Sequence, residues 1–187
     1  NITINKNIEI DKPLLLPINY SLNIAPGVNI NLIKKGMIYL QGPLIINGAE
    51  NNEVFIKSTE EGKGIFIINS RKKSNIKNTT FVGLDVPNSS SLNITGGISF
   101  YNSPVEIINT KFINGRSEDA LNLIKSDFYI ENSKFISTKS DGLDIDFSDG
   151  IVKSTTFFEI GNDSIDISGG EVFLKDIKIN KNGDKGI

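Results

Sequence analysis

A repeat of about 22 residues runs through the C-terminal half of the chain and limits its fold more than any other feature. Four aspartates recur at separations of 22, 22 and 21 residues: Asp119, Asp141, Asp163 and Asp184. Two sets of apolar residues recur in the same way: Ile107, Ile130, Val152 and Leu174, and Phe112, Phe135, Phe157 and Ile179. A fixed period in this range indicates a repeat architecture, in which each unit stacks on the previous one.

Within a repeat, apolar and polar side chains alternate, as they do in a β-strand. Leu143, Ile145 and Phe147 are predicted to share the core face, and Asp144 and Asp146 the opposite face. Some 22 residues are too few for a strand–helix–strand unit, which takes roughly 30. They suffice for one rung of a parallel β-helix, with equivalent residues stacked about 4.8 Å apart. The chirality of parallel crossovers favours right-handed coiling.

Two other solenoids fit the pattern less well. A left-handed helix built from six-residue repeats is excluded by the 22-residue period, and the Leu-x-x-Leu-x-Leu signature of leucine-rich repeats is missing. The sequence therefore predicts an all-β fold, a right-handed single-stranded parallel β-helix with about 22 residues per rung in its C-terminal half.

The length of 187 residues predicts a single domain, residues 1–187. Residues 1–77 carry strand patterns at ragged spacing, and residues 78–187 carry the regular rungs. The motif that begins at Asn78 returns at Asn109 after 31 residues, and the excess predicts a loop insertion at residues 86–97. Because the sequence stops within a strand pattern, we expect the native chain to continue beyond Ile187.

Composition excludes several classes of function. A net charge of -2 argues against nucleic acid as the main partner. The chain has no cysteine, which excludes disulfides, and no histidine, which removes the commonest general base and zinc ligand. No run approaches the ~20 apolar residues that a membrane-spanning helix needs.

Two polar columns accompany the apolar ones. Asn78, Asn109, Asn132, Ser154 and Asp176 form the first, which we interpret as structural because side-chain amides can bond along the solenoid axis. The aspartates form the second, and carboxylates ~4.8 Å apart repel by about 1 kcal/mol in water. Three compensations stay open: each Asp caps amides of its own turn, a Ca²⁺ ion binds, or a substrate site has raised pKa values.

Three segments carry a resemblance to known proteins: 116–122 (RSEDALN), 140–144 (SDGLD) and 161–166 (GNDSID). They resemble the pectin-lyase-like superfamily of right-handed parallel β-helices, and more closely the β-helix segments of large secreted or surface bacterial proteins. The resemblance implies a bacterial protein that is secreted or displayed on the cell surface. It implies no established chemistry for such a segment.

A partial likeness to polygalacturonase-type glycoside hydrolases rests on residues 139–142 (KSDG) and 161–163 (GND). That family cleaves with two carboxyl groups ~6.5–9.5 Å apart. Here Asn162 stands at the position of the general acid, and no histidine is present. A hydrolase that uses Asp141 and Asp163 is therefore the weakest of the functional hypotheses.

The first functional hypothesis is a non-catalytic extracellular or cell-surface module, which needs no cofactor and offers an outward acidic face to a polysaccharide or surface protein. The candidate binding residues are Asp119, Asn122, Asp144 and Asp166. The alternative is a calcium-dependent polysaccharide lyase or epimerase acting on uronate-containing glycans. Its Ca²⁺ ligands would be Asp144, Asp146 and Asp166, and its catalytic candidates are Asp141, Asp163, Arg116 and Lys139.

Overall fold

The computed structural model describes residues 1–87 and 94–187. In these residues the chain contains no helix and forms a parallel β-solenoid of about 8 coils with roughly 23 residues per coil. The strands are, in chain order, β1 (Ile2–Ile4), β2 (Ile8–Ile10), β3 (Pro13–Leu16), β4 (Leu22–Ile24), β5 (Asn29–Leu32), β6 (Met37–Leu40), β7 (Leu44–Asn47), β8 (Val54–Ser58), β9 (Ile65–Ile68), β10 (Ser74–Lys77), β11 (Thr79–Val82), β12 (Gly96–Tyr101), β13 (Val105–Ile108), β14 (Lys111–Ile113), β15 (Asp119–Ile124), β16 (Phe128–Glu131), β17 (Lys134–Thr138), β18 (Asp141–Asp146), β19 (Gly150–Lys153), β20 (Thr156–Ile160), β21 (Ile165–Ser168), β22 (Val172–Lys175) and β23 (Lys178–Asn182).

Every third strand belongs to the same sheet, so each coil contributes one strand to each of three parallel sheets. Sheet A has the order β1-β4-β7-β10-β13-β16-β19-β22, and sheet B the order β2-β5-β8-β11-β14-β17-β20-β23. Sheet C has the order β3-β6-β9-β12-β15-β18-β21. The predicted solenoid is confirmed.

The core consists of apolar side chains stacked from coil to coil. Ile107 pairs in register with Ile130, which pairs with Val152 and then with Leu174. The rings of Phe81, Phe112, Phe135 and Phe157 stack with centroid separations of 5.4, 4.5 and 4.7 Å. Both predicted apolar columns are thus confirmed, and each fully buried side chain contributes about 1.5–3 kcal/mol of burial free energy.

Most corners between the sheets contain a residue in the left-handed backbone region. Between sheets A and B these residues are Asn78, Asn109, Asn132, Ser154 and Asp176, with φ between 47° and 54°. Asparagine tolerates this region better than most residues. The Asn109 amide donates to the Asn78 side-chain oxygen at 3.2 Å, and the Asn78 amide donates to the Gly48 carbonyl at 2.7 Å. The predicted side-chain bonding along the solenoid axis is thus present at Asn78 and Asn109.

Serine hydroxyls join the corners between sheets C and A, a feature that the sequence pattern did not predict. The backbone amides of Ser70, Ser103 and Ser126 each donate to the hydroxyl of the equivalent serine one coil later, at 2.9 Å. The hydroxyls of Ser103, Ser126 and Ser148 donate to the carbonyl two residues earlier. These corner amides do not take part in the sheets, and the serine hydroxyls supply their hydrogen-bond acceptors.

Phe147 does not point into the core as predicted. It occupies the left-handed corner position that Asn102 and Lys125 hold in the preceding coils, with φ of 49°. Its side chain is 68% exposed. The alternating pattern of β18 continues in the sequence, but the backbone turns at this residue and reverses the direction of the side chain.

The ragged spacing of residues 1–77 arises at the corners. Strand pairing stays continuous through this region, from Ile2 against Leu22 to Ile46 against Ile76, while the coil length varies from 20 to 30 residues. Within the predicted insertion at 86–97, residues 88–93 lie outside the described part of the chain, and Gly96 and Gly97 already belong to β12. No helix of the described residues is long and apolar enough to cross a membrane.

Candidate acidic binding face

The outward side of sheet C carries a group of aspartates near the C-terminal end of the solenoid. In β15, β18 and β21, Asn122 pairs with Asp144 and Asp144 with Asp166. Asp146 lies beside them, between Ile124 and Ser168. The predicted stacking of Asp144 on Asp166 is confirmed. We call the following residues the acidic face: Asp141, Asp144, Asp146, Asp163 and Asp166. Asp119, a predicted binding residue, is buried beneath them.

The alternation of β18 positions these side chains. Leu143 and Ile145 are fully buried in the core, so Asp144 and Asp146 between and after them face outward. Gly142 lets the start of β18 pack closely against the next coil and the core. A Cβ there would lie only 3.0 Å from the Phe157 ring and 2.7 Å from the Ser164 carbonyl.

The second column of the acidic face runs along the corner that precedes β18 and β21. Asp119 pairs in register with Asp141. A carboxylate oxygen of Asp141 accepts the Asp163 amide at 2.9 Å and the Asn162 side-chain amide at 2.8 Å. The Asp163 carboxylate accepts the Lys185 amide at 2.8 Å. Asp141 and Asp163 therefore accept amides of the following coil. For these two residues, the hypothesis that each aspartate caps amides of its own turn is wrong.

Asp184 does not continue this column. The Asp184 amide donates to the Asn162 carbonyl, as the Asn162 amide donates to the Ser140 carbonyl. Lys185 holds the position that follows Asp163, because its amide reaches the Asp163 carboxylate as the Asp163 amide reaches Asp141. Asp184 follows Asp163 by 21 residues instead of 22, so it lies one position before the column. Lys185 occupies the last position of the column.

Burial dominates the electrostatics of Asp119, whose residue is 2% exposed. Desolvation is the main cause that raises the pKa of its carboxyl to about 8; a hydrogen bond with Thr95 opposes the rise, and the nearby charges of Asp144, Asp141 and Glu118 add to it. One oxygen of this carboxyl, Oδ2, is buried without a hydrogen-bond partner among the described residues. Burial therefore favours the protonated form of Asp119.

Asp144 is affected in the same way but is less enclosed. Desolvation, followed by the charges of Asp146, Asp166 and Asp141, raises the pKa of its carboxyl to about 7. The Asn122 side-chain amide donates to it at 2.7 Å and lowers the pKa in part. Asn122 is fully buried, and its own carbonyl oxygen has no partner in the described part of the chain. This amide therefore orients the Asp144 carboxyl without neutralising it.

The acidic face places several carboxyl groups without counter-charge on one surface of the solenoid. Elsewhere, some carboxylates pair with lysines of neighbouring coils, as in Lys153–Glu131 at 2.7 Å and Lys77–Glu106 at 3.1 Å, whereas Asp127 and Glu171 form no ion pair among the described residues. Among residues 1–87 and 94–187, no lysine or arginine nitrogen lies within the 4.0 Å ion-pair distance of an acidic-face carboxylate. Within those residues the face is thus a patch of uncompensated carboxyl groups.

The candidate calcium ligands are brought to one surface but not into one cluster. In the described part of the chain, no three carboxylates converge in a geometry that could hold a metal ion. The assignment of Ca²⁺ to Asp144, Asp146 and Asp166 stays a prediction.

Arg116, a catalytic candidate from the sequence, lies at the corner between sheets B and C and binds backbone of earlier coils. Its guanidinium donates to the Gly83 carbonyl at 2.8 Å, the Glu60 carbonyl at 3.2 Å, the Gly62 carbonyl at 3.0 Å and the Ser58 hydroxyl at 2.8 Å. This arrangement ties three coils together. Lys139, the other cationic candidate, is exposed on a later coil.

Comparisons with known proteins add little. No family model matches the chain, and no curated protein matches it. A solved structure of trypsin-treated QnrB1, described as a plasmid-mediated fluoroquinolone resistance protein, aligns with 90% of this chain and 91% of its own at 13% identity. The TM-score of 0.24 is too low to support an argument about either fold or function.

Proposed function

We propose that this chain is a non-catalytic β-solenoid module of a secreted or cell-surface protein, and that it binds a positively charged segment of a protein partner through the acidic face. The observation that carries the proposal is the absence, within residues 1–87 and 94–187, of an intramolecular counter-charge beside these aspartates. The extracellular location rests on the resemblance of the repeats to surface β-helices.

The electrostatics favour a cationic partner over an acidic glycan. Partial burial and like charges hold the pKa of Asp144 near 7, so a bound ammonium or guanidinium group gains attraction and also relieves repulsion among the carboxyls. A uronate-bearing chain would add more negative charge to the same surface. Arginine and lysine side chains are the natural cations for carboxylates on a flat sheet.

Titration calorimetry with a lysine- and arginine-rich decapeptide tests this function. We expect saturable binding at pH 8 that weakens at pH 5.5, because Asp144 is then protonated and loses its charge. The double variant Asp144→Asn/Asp166→Asn is expected to weaken binding about 10-fold, or about 1.4 kcal/mol.

The matched control removes two carboxylates elsewhere, Asp127→Asn/Glu171→Gln, both exposed in the structure. Equal loss of binding in the control would mean that only net charge matters and would remove the acidic face from the proposal. Failure of the wild-type chain to bind the peptide would do the same.

The lyase alternative has its own assay, the ultraviolet absorbance of unsaturated uronate products from pectate or alginate with Ca²⁺. Calcium-dependent product formation that disappears in Asp144→Asn/Asp166→Asn would replace the binding proposal by the enzymatic one. Melting temperatures in Ca²⁺ and in chelator report on the metal separately, since a bound ion stabilises the fold by mass action.

A further inference from the structure

A cleft lies at the opposite end of the solenoid, where sheet C turns into sheet A in the first three coils. The corners there span residues 17–21, 41–43 and 69–73, so a three-residue corner lies between two five-residue corners. The longer corners project on both sides of the short one and enclose a cleft of about 430 Å³, which we call the corner notch. This volume falls within the range of roughly 300–1,000 Å³ typical of small-molecule sites.

Backbone packing sets the floor of the notch. A Cβ on Gly42 would lie 1.8 Å from the Tyr20 carbonyl, so only glycine lets the first corner approach the second this closely. Asn19 takes φ of 76°, and the Tyr20 amide donates to the Pro17 carbonyl at 3.3 Å, which closes the turn of the first corner. Ile18 and Tyr20 remain 50% and 46% exposed at the rim.

The charge of the notch is opposite to that of the acidic face. Arg71 and Lys72 line it from the third corner, and within the described chain its lining includes no aspartate or glutamate. Among the described residues neither cation forms an ion pair, whereas the next residue, Lys73, pairs with Glu106 at 3.3 Å. Two adjacent cations thus face a concave surface that holds no acidic side chain of the described residues. This arrangement favours an anion with more than one negative charge.

The remaining residues that line the notch suit a molecule that carries hydroxyl groups as well as the anionic group. The side-chain amides of Asn19 and Gln41 offer donors and acceptors, and the ring of Tyr20 with Pro43 offers an apolar wall. We propose that the corner notch binds a phosphate ester of a sugar or similar polyol, with the phosphate on Arg71 and Lys72. A guanidinium binds phosphate with two parallel hydrogen bonds, and the second cation matches the second charge.

This site is independent of the acidic face, and its test uses the 187-residue chain with four small probes in titration calorimetry: glucose 6-phosphate, inorganic phosphate, glucuronate and glucose. We expect glucose 6-phosphate to bind saturably, at least about 10-fold more tightly than the other three. Weaker binding of inorganic phosphate reports on the contacts to the hydroxyl-bearing part of the molecule, and weaker binding of glucuronate reports on the second charge.

The variant Arg71→Gln/Lys72→Gln is expected to weaken binding of glucose 6-phosphate about 10-fold or more. Its matched control, Lys125→Gln/Lys178→Gln, removes two exposed lysines far along the chain and is expected to leave binding unchanged. All four substitutions are at exposed positions, and melting temperatures verify that both variants fold.

Three results would overturn the proposal. Equal loss in the two double variants would reduce the effect to net charge. Equal affinity for glucuronate would remove the argument for a doubly charged group, and absence of saturable binding by glucose 6-phosphate would dismiss the site altogether.

Discussion

Replacement of Asp119 by asparagine should change how the stability of the solenoid depends on pH. The raised pKa means that the folded chain keeps a proton on Asp119 that the unfolded chain releases. Its contribution to stability is therefore complete below the unfolded pKa of 3.8 and is lost as pH rises towards about 8. Each pKa unit corresponds to about 1.4 kcal/mol, so the change from 3.8 to about 8 sets an upper bound of about 6 kcal/mol on the loss across this window. Local relaxation around the ionised carboxyl reduces the expected loss to about 2–5 kcal/mol.

Asparagine is nearly isosteric with aspartate and carries no titrating proton. The Asp119→Asn variant is expected to be more stable than the wild type by about 2–5 kcal/mol at pH 8. At pH 4 it should match the wild type or lose about 1 kcal/mol, because its amide meets the same surroundings in which Asp119 Oδ2 lacks a partner among the described residues.

Urea unfolding followed by circular dichroism between pH 4 and pH 9 measures this difference. The control is Asp127→Asn, an exposed aspartate in the same half of the chain. If the two variants show the same pH profile as the wild type, Asp119 ionises normally, and the account of a desolvated Asp119 carboxyl is wrong.

The remaining predictions concern stability and can be measured in urea at one pH. Phe157→Ala should cost about 3–5 kcal/mol because the ring is fully buried in the phenylalanine stack, whereas Phe147→Ala should change stability by less than about 0.5 kcal/mol; equal costs would restore Phe147 to the core. Arg116→Met should cost about 2–4 kcal/mol because four acceptors lose a charged donor, whereas Lys139→Met should be close to neutral; a neutral Arg116→Met would leave that side chain free for another role. Asn109→Ala should cost about 1–2 kcal/mol, since alanine strains the left-handed corner, and Asn109→Gly should cost less; the reverse order would contradict the backbone argument.

The interior of the solenoid could be predicted from the sequence because its constraint is local and repeated. A side chain such as Phe135 must match the residues one coil above and below it, which places an apolar residue at every recurrence of the period. The outward stacking of Asp144 on Asp166 followed from the same register.

The corners were harder to predict from the sequence than the strands. One residue in the left-handed region reverses the direction of its side chain, and its residue type need not show this. Phe147 was assigned to the core for this reason, and Asp184 was placed in a column that Lys185 occupies. The role of Arg116 depends on acceptors 33 to 58 residues earlier, which become neighbours only through strand pairing in the ragged half of the chain. The corner notch has the same origin, since its walls are defined by corner lengths.

The parallel pairing of every strand with its counterparts in neighbouring coils also determines how the molecule should respond to force. Backbone hydrogen bonds between coils point along the solenoid axis. Tension applied to the two ends would therefore break them in sequence, one coil at a time. Each opened coil of roughly 23 residues would release about 75–80 Å of chain. A force–extension measurement should therefore show a series of small, regular extension steps. The coils joined by the Arg116 hydrogen bonds should unfold at a higher force than their neighbours.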